Sequence, residues 1–542
     1  MPTAIASFDY IVVGAGSAGC VLANRLSADG RHTVLLLEAG PRDSYPWIHI
    51  PIGYAKTMFH PVLNWGFYTE PEPTMNGRKV YWPRGRTLGG SSAINGLIFI
   101  RGQREDYDAW AAAGNTGWSY ADVLPWFRRL EHNVRGASEW HGAEGPLWAS
   151  DIGTTHPLIE AMIAGANELG IPANDDFNGA RQEGAGYYQL TTRRGRRCST
   201  AVAYLDPARG RPNLRIETNA HVTGLVLENR HARGVTYRQG GVERTATANR
   251  EVILSAGALQ SPQLLQLSGI GPPALLQSLG IPVHHALAGV GENLQDHLQA
   301  RVIFRCTQPI TTNDALRTLG GKLAIGLDYV FRRSGPMAVG INQGGIFARA
   351  MPGAVRPDVQ FHFATLSSDM AGSPVHDFPG FTMSVCQLRP TSRGSVRIKS
   401  PDPLQPPAMQ PHYLSTRDDR ATIVAGIRLA RSLAATQALR PYVDGEYRPG
   451  PQADTDDALL EFAKNTGGTI FHPSGTTRMG PVGDPTAVVD RELRVHGVDA
   501  LRVVDCGIMP TLVSGNTNVP VVMIAERAAD MILRDASPTS RR

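Results

Sequence analysis

The 542-residue chain is 42% hydrophobic and 19% charged with a net charge of +5, the balance of an ordinary globular protein of two or three domains. That charge is too small for the length to point to nucleic acid, and no apolar run is long enough for a membrane helix. Five scattered cysteines, with no CxxC pair and no metal spacing, exclude a disulfide scaffold and fit free thiols in a reducing compartment. The N-terminus lacks a basic segment leading into a long apolar stretch, so no cleaved signal is expected. The expected location is the cytoplasm, with peripheral attachment to the inner membrane left open.

In chain order, 9–13 reads as a short buried strand, 20–26 as a helix with Leu22 and Leu26 four apart, and 33–37 as a second apolar strand. Strand, helix and strand make a βαβ unit, which implies a parallel sheet. Residues 41–110, rich in Gly, Pro and aromatics, read as a long excursion with few regular elements. Helices are predicted at 119–129 and 157–169, and strands at 214–217, 222–227, 233–237 and 251–255. Residues 301–400 read as strands alternating with loops, such as 359–364 and 381–388. A helix at 418–436, a late buried strand at 500–504 and a closing helix at 519–534 complete the pattern. The tail from 536 to 542 is expected to be disordered.

Gly14, Gly16 and Gly19 form G-x-G-x-x-G around Ser17 and Ala18, between the first strand and its helix. The first glycine permits the tight turn, the second a close approach to a pyrophosphate, and the third helix–strand packing. The anion then meets the free N–H groups of a helix N-terminus. Glu38, followed by Ala39, lies at the end of the second strand, where a carboxylate suits a ribose diol and repels a 2′-phosphate. These residues point to a dinucleotide and leave FAD and NAD open.

Two further segments, Gly85-Arg86-Thr87-Leu88-Gly89-Gly90-Ser91-Ser92-Ala93-Ile94-Asn95 and the run opening Gly257-Ala258-Leu259-Gln260-Ser261-Pro262, resemble the signatures of the glucose–methanol–choline oxidoreductase family. The segment ending Gln295-Asp296-His297 and the C-terminal half resemble it too. The likeness runs from Asp9 to about Ile532 and is strongest to the bacterial choline dehydrogenase and sorbose dehydrogenase branch. The resemblance implies an α/β chain, α+β overall. A Rossmann-like FAD domain would come from 1–150, 196–300 and 468–535. A discontinuous substrate domain on an antiparallel sheet would come from 151–195 and 301–467. It implies FAD, with Arg86, Gly89, Gly90 and Ser91 along the flavin and pyrophosphate and Asn95 and Gly96 near the ring. Val222 would meet the adenine, Ala256 and Gly257 the ADP part, and Asp505 and Cys506 the ribityl phosphate; Val519 joins the cofactor set. Relatives that bind FAD covalently do so through a histidine where this chain has Ile94, so dissociable FAD is expected.

Alcohol oxidation needs a base for the hydroxyl proton and an acceptor for the hydride, and histidine suits the base. Sixteen histidines make the residue type alone a poor pointer. The resemblance singles out His472 in His472-Pro473-Ser474-Gly475-Thr476 as the base. It also implies a second polar residue beside it. Aligning the apolar helix that follows gives that place to Asn518 and gives Asn516 to the cofactor, with the reverse as the alternative. Gln343, neutral where some choline-oxidising relatives carry Glu, is the candidate substrate contact. The expected reaction is oxidation of a small-molecule alcohol, with electrons passed to a quinone-like acceptor. Use of O2 with release of H2O2, or flavin-dependent lyase chemistry, are the alternatives. No metal or nucleic-acid partner is expected.

Overall fold

A computed structural model describes residues 6–370 and 372–536. The tail at 537–542, expected to be disordered, lies outside the described residues, and Ala536 caps the last helix. β1 (Ala6–Val13), α1 (Ser17–Leu26) and β2 (Val34–Leu37) form the expected βαβ unit, with the two strands parallel. Every residue of β2 is buried, as a parallel strand covered on both faces must be.

The sheet built on this unit is mixed and has seven strands. Leu214–Glu217 pairs in parallel with β2, and Val242–Leu254 in parallel with β1. Ala220–Glu228 and His231–Gln239 continue from Val242–Leu254 as an antiparallel meander. Leu501–Val503 returns from the far end of the sequence to pair in parallel with Val242–Leu254. The C-terminal helix, Asn518–Asp535, packs against α1. Val21, Leu22, Val522 and Ile524 are fully buried there. Each such side chain contributes roughly 1.5–3 kcal/mol by leaving water. The fully buried Glu526 is answered from α1 by Arg25 at 2.7 Å and from beside it by the Tyr204 hydroxyl at 2.8 Å. A buried carboxylate needs such partners.

The second sheet is antiparallel along its length, in the order Val443–Arg448, Leu298–Cys306, Gly380–Gln387, Val359–Ala364, Asn342–Ala348, Gly184–Tyr187. Helices Pro157–Glu168, Arg417–Ala434 and Asp456–Thr466 share its core. This mixture of a Rossmann-like sheet and an antiparallel sheet is the expected fold class. Two helices within 301–400, Thr312–Arg317 and Leu319–Arg332, were not expected. Gly320, Gly321 and Gly326 lower helix propensity there. The helix Leu319–Arg332 also turns its apolar residues outward, so it lacks the buried stripe that marks a helix.

Candidate active site

A single cavity runs from the dinucleotide turn to His472, and both sheets contribute to its wall. At one end lie Gly14, Gly16, Ser17 and Ala18, then Glu38 and Ala39. The chain must turn sharply here: Gly14 has φ +96°, and a Cβ on Gly19 would stand 1.8 Å from the Gly14 carbonyl oxygen. Gly16 caps α1 with no side chain bonded to the helix N–H groups, which leaves them for an anion. Glu38 is buried and accepts from the backbone N–H of Ala15 at 2.9 Å and of Gly40 at 2.8 Å. Burial pushes its carboxyl up to about 7 against those two hydrogen bonds.

The second glycine segment lies directly on the first. A Cβ on Gly90 would come within 2.6 Å of the Gly16 Cα. Gly90, Ser91, Asn95 and Gly96 line the cavity beyond it. Asn95 is held by Arg197, whose guanidinium donates to its side-chain oxygen at 2.7 Å. In the basic stretch 193–197, Arg193, Arg194 and Arg196 are exposed while Arg197 is buried. Its guanidinium is pushed down to about 9 by that burial. Val222, Ala256, Gly257, Asp505 and Cys506 also line the cavity. Asp505 accepts from the Gly257 N–H at 2.8 Å and the Ser261 hydroxyl at 2.6 Å. A Cβ on Gly257 would meet nothing within 4 Å, and the Ser255 hydroxyl beside it is buried without a partner among the described residues. Open glycines, free helix N–H groups and an orphaned hydroxyl together fit an extended dinucleotide.

Four expected cofactor residues do not line this wall. Gly19 supports the turn from behind, and a Cβ on Gly89 would abut Ala201, Ala93 and Ser199. The Arg86 guanidinium lies over the Trp65 ring at 4.8 Å, and Val519 is packed in the core. Gln343 is also off the wall. Asn342 lines the cavity, whereas Gln343 stands at an irregularity in the pairing with Val359–Ala364 and its carbonyl accepts from the Tyr188 N–H at 3.0 Å.

At the other end stands His472. Its backbone N–H donates to Asp296 at 2.8 Å, and Ser474 bridges to Gln295, so the segments 295–297 and 472–474 run side by side. Phe471 just before it has φ +73°, a strained value for an aromatic residue, and Arg84 donates to its carbonyl oxygen at 2.7 Å. The expected neighbour Asn518 is not beside His472. As first residue of the C-terminal helix it turns to α1 and accepts from the Ser17 hydroxyl at 2.8 Å. Asn516, still in the loop, lies 3.3 Å from His472 Nε2.

The histidine belongs to a chain of hydrogen bonds whose ends fix its proton. His297 Nε2 lies 2.9 Å from the Leu388 carbonyl oxygen, which can only accept. His297, buried and pushed down to about 4 by that burial, is neutral, so its Nδ1 is an acceptor. His297 Nδ1 lies 3.0 Å from His472 Nδ1, which therefore carries the hydrogen. Gln360 donates to the Asn516 side-chain oxygen at 3.2 Å, which leaves the Asn516 amide N–H groups facing His472 Nε2. Both directions agree: His472 Nε2 holds a lone pair toward the cavity. Burial, then the neighbouring His297, His362 and Arg84, hold His472 well below its ordinary value, so it is unprotonated at neutral pH.

Motif reading missed His297, His362, Gln360, Asn342 and Gln299. One signal was available: in Val359–Ala364 the polar Gln360 and His362 alternate with Val359, Phe361 and Phe363, which enter the second core. His362 lines the cavity, and its Nδ1 is buried with no partner among the described residues. Among the described residues, the only carboxylates on the cavity wall are Glu38, bonded to the Ala15 and Gly40 N–H groups, and Asp505, bonded to the Gly257 N–H and the Ser261 hydroxyl.

A family model described as GMC oxidoreductase matches residues 8–299, and its C-terminal counterpart matches 390–525. The chain is 44% identical over 532 residues to a mitochondrial choline dehydrogenase of Mus musculus, covering 97% of this chain and 89% of that protein. It is 43% identical over 536 residues to an alcohol dehydrogenase [acceptor] of Pseudomonas putida, covering 98% and 97%. Among solved structures, pyridoxine 4-oxidase from Mesorbium loti matches with TM-score 0.88 and 31% identity over 97% of this chain and 99% of that one. A formate oxidase matches with TM-score 0.92 and 26% identity over 98% and 99%.

Proposed function

Since the chain belongs to the GMC oxidoreductase family, whose members are FAD-dependent, we propose that it oxidises a neutral alcohol to an aldehyde or ketone, with His472 as the base. The observation that carries this is the lone pair on His472 Nε2, fixed toward the cavity by the Leu388 carbonyl at one end of the chain and Asn516 at the other. FAD, when bound, supplies the hydride acceptor at its N5. His472 takes the hydroxyl proton at Nε2. Asn516, in the place expected of Asn518, holds the hydroxyl oxygen through its amide and stabilises the charge that develops there. The orphaned His362 Nδ1 offers the substrate another polar contact. Among the described residues no carboxylate lines the cavity beside His472, since Asp296 is buried behind it on the His472 N–H, so the wall lacks the charge that a quaternary ammonium would draw on, which favours a neutral substrate. Ile94 presents only carbon to the cavity, so FAD is held without a covalent bond. The likeness to the acceptor-linked alcohol dehydrogenase favours a quinone-like acceptor over O2. Five free cysteines suit a reducing compartment, in keeping with the cytoplasm.

Replacing His472 with Ala is expected to slow anaerobic flavin reduction by alcohol by roughly 10²–10⁴-fold while FAD content stays near normal. Flavin reduction at the wild-type rate would refute the assignment. A panel of alcohols against a soluble quinone and against O2 reads substrate class and acceptor in one experiment, and flavin that no alcohol bleaches would favour lyase chemistry.

A further inference from the structure

Helix Leu319–Arg332 presents its apolar side to solvent. Leu319 is 86% exposed, Leu323 63%, Leu327 47%, Val330 61% and Phe331 79%. Their spacing at i, i+4, i+8 and i+11/i+12 puts them on one face, and on the inward side Tyr329 is buried. A water-facing helix should show the opposite arrangement, and an apolar stripe of this extent marks a surface that meets another apolar phase.

Basic residues surround the stripe. Lys322 and Arg332 lie on the helix and Arg333 caps it. The exposed Arg194 and Arg196 sit on the turn around Gly195, which packs so closely that a Cβ there would lie 2.3 Å from the Arg333 carbonyl oxygen. Among the described residues, only Arg332 of these five has a carboxylate neighbour, Asp328 at 3.8 Å.

The helix is tied to the cavity wall. The strand that follows it begins at the cavity-lining Asn342, and the Ile341 N–H donates to the hydroxyl of cavity-lining Tyr54 at 3.1 Å. Phe59 and Val62, just after cavity-lining Met58, are exposed as well. No helix among the described residues is long and apolar enough to cross a membrane.

We propose that the outward face of helix Leu319–Arg332, with the Arg194, Arg196 and Arg333 cluster, seats this protein on the surface of a lipid bilayer carrying anionic headgroups. The apolar stripe enters the headgroup boundary, and the unpaired guanidinium groups meet the lipid phosphates.

The test is co-sedimentation of the FAD-loaded enzyme with phosphatidylcholine vesicles with and without phosphatidylglycerol. Wild type is expected to sediment with the anionic vesicles and several-fold less with the neutral ones. Leu323→Glu, Leu327→Glu and Phe331→Glu together are expected to weaken binding at least ~100-fold. Arg194→Gln and Arg196→Gln should each weaken it roughly fivefold at low salt. None of these residues lines the cavity, so flavin content and alcohol turnover with a soluble acceptor stay at wild-type level. Wild type left in the supernatant with anionic vesicles overturns the proposal, as does a triple-glutamate variant that binds like wild type. A wild-type dimer that the triple variant dissociates, with neither form binding vesicles, would assign the face to a second copy instead.

Discussion

Leu388 contributes only a carbonyl oxygen to the site, and through His297 that carbonyl sets which nitrogen of His472 is free. The same logic separates the two asparagines. Asn516→Ala removes a group beside His472, so it should slow flavin reduction roughly 10–1000-fold and leave FAD content unchanged. Asn518→Ala removes the bond to Ser17 at the dinucleotide turn, so it should lower FAD content before it slows the bound flavin. The opposite pattern, read by absorbance and stopped flow, would restore Asn518 as the partner of the base. The pH dependence follows from direction alone. A histidine held below its ordinary value stays neutral at more acid pH, so the rate of flavin reduction should be level on descending to about pH 6.5 and fall only below it. An acid limb centred above that point would mean that His472 is not the titrating group. Sequence reasoning found His472 through its Pro473 setting. It placed Asn518 by counting back from the helix, and no count along a chain shows that a residue at the first helical position turns toward α1.

At the scale of elements, the dinucleotide turn works because two glycine segments touch. Gly90 has φ +51°, and its missing Cβ is the space filled by the Gly16 Cα at 2.6 Å. Gly90→Ala therefore has to move backbone on one side or the other. It should abolish FAD loading or lower the melting temperature by several degrees, whereas Gly66→Ala, where a Cβ would meet nothing within 4 Å, tests the cost of a positive φ alone. Equal losses in the two variants would show that the contact with Gly16 is not what Gly90 is for. The βαβ unit was legible because its periods are strong: a β-branched apolar strand and a Leu-rich one on either side of a helix with Leu22 and Leu26 on one face. Helix Leu319–Arg332 was not legible, because periodicity announces a helix by the stripe it buries, and this one exposes its stripe.

The whole molecule holds its cofactor cavity between two sheets, so a bound dinucleotide ties the Rossmann-like sheet to the antiparallel one. A ligand that binds only the folded state stabilises it by about 2.7 kcal/mol when present at 100 times its Kd. Protein stripped of FAD is therefore expected to melt at lower temperature and to regain stability with added FAD in a concentration-dependent way. Acid denaturation followed by filtration should leave the yellow colour in the filtrate. Colour that stays with the protein would mean that FAD is attached in spite of Ile94.

The sequence by itself determined the chemistry available to this protein. A glycine turn and Glu38 are local patterns whose residue types carry their own physical reasons, while the two further glycine segments and the His472-Pro473 segment took their meaning from the resemblance to the family. Tertiary structure alone decided which side chains meet. It brought Leu501–Val503 beside the Val242–Leu254 strand, set His297 of one segment against His472 of another, and put Asn516 rather than Asn518 beside His472. Those choices depend on contacts between residues tens to hundreds of positions apart, and a contact at such range leaves no period and no spacing in the chain that makes it.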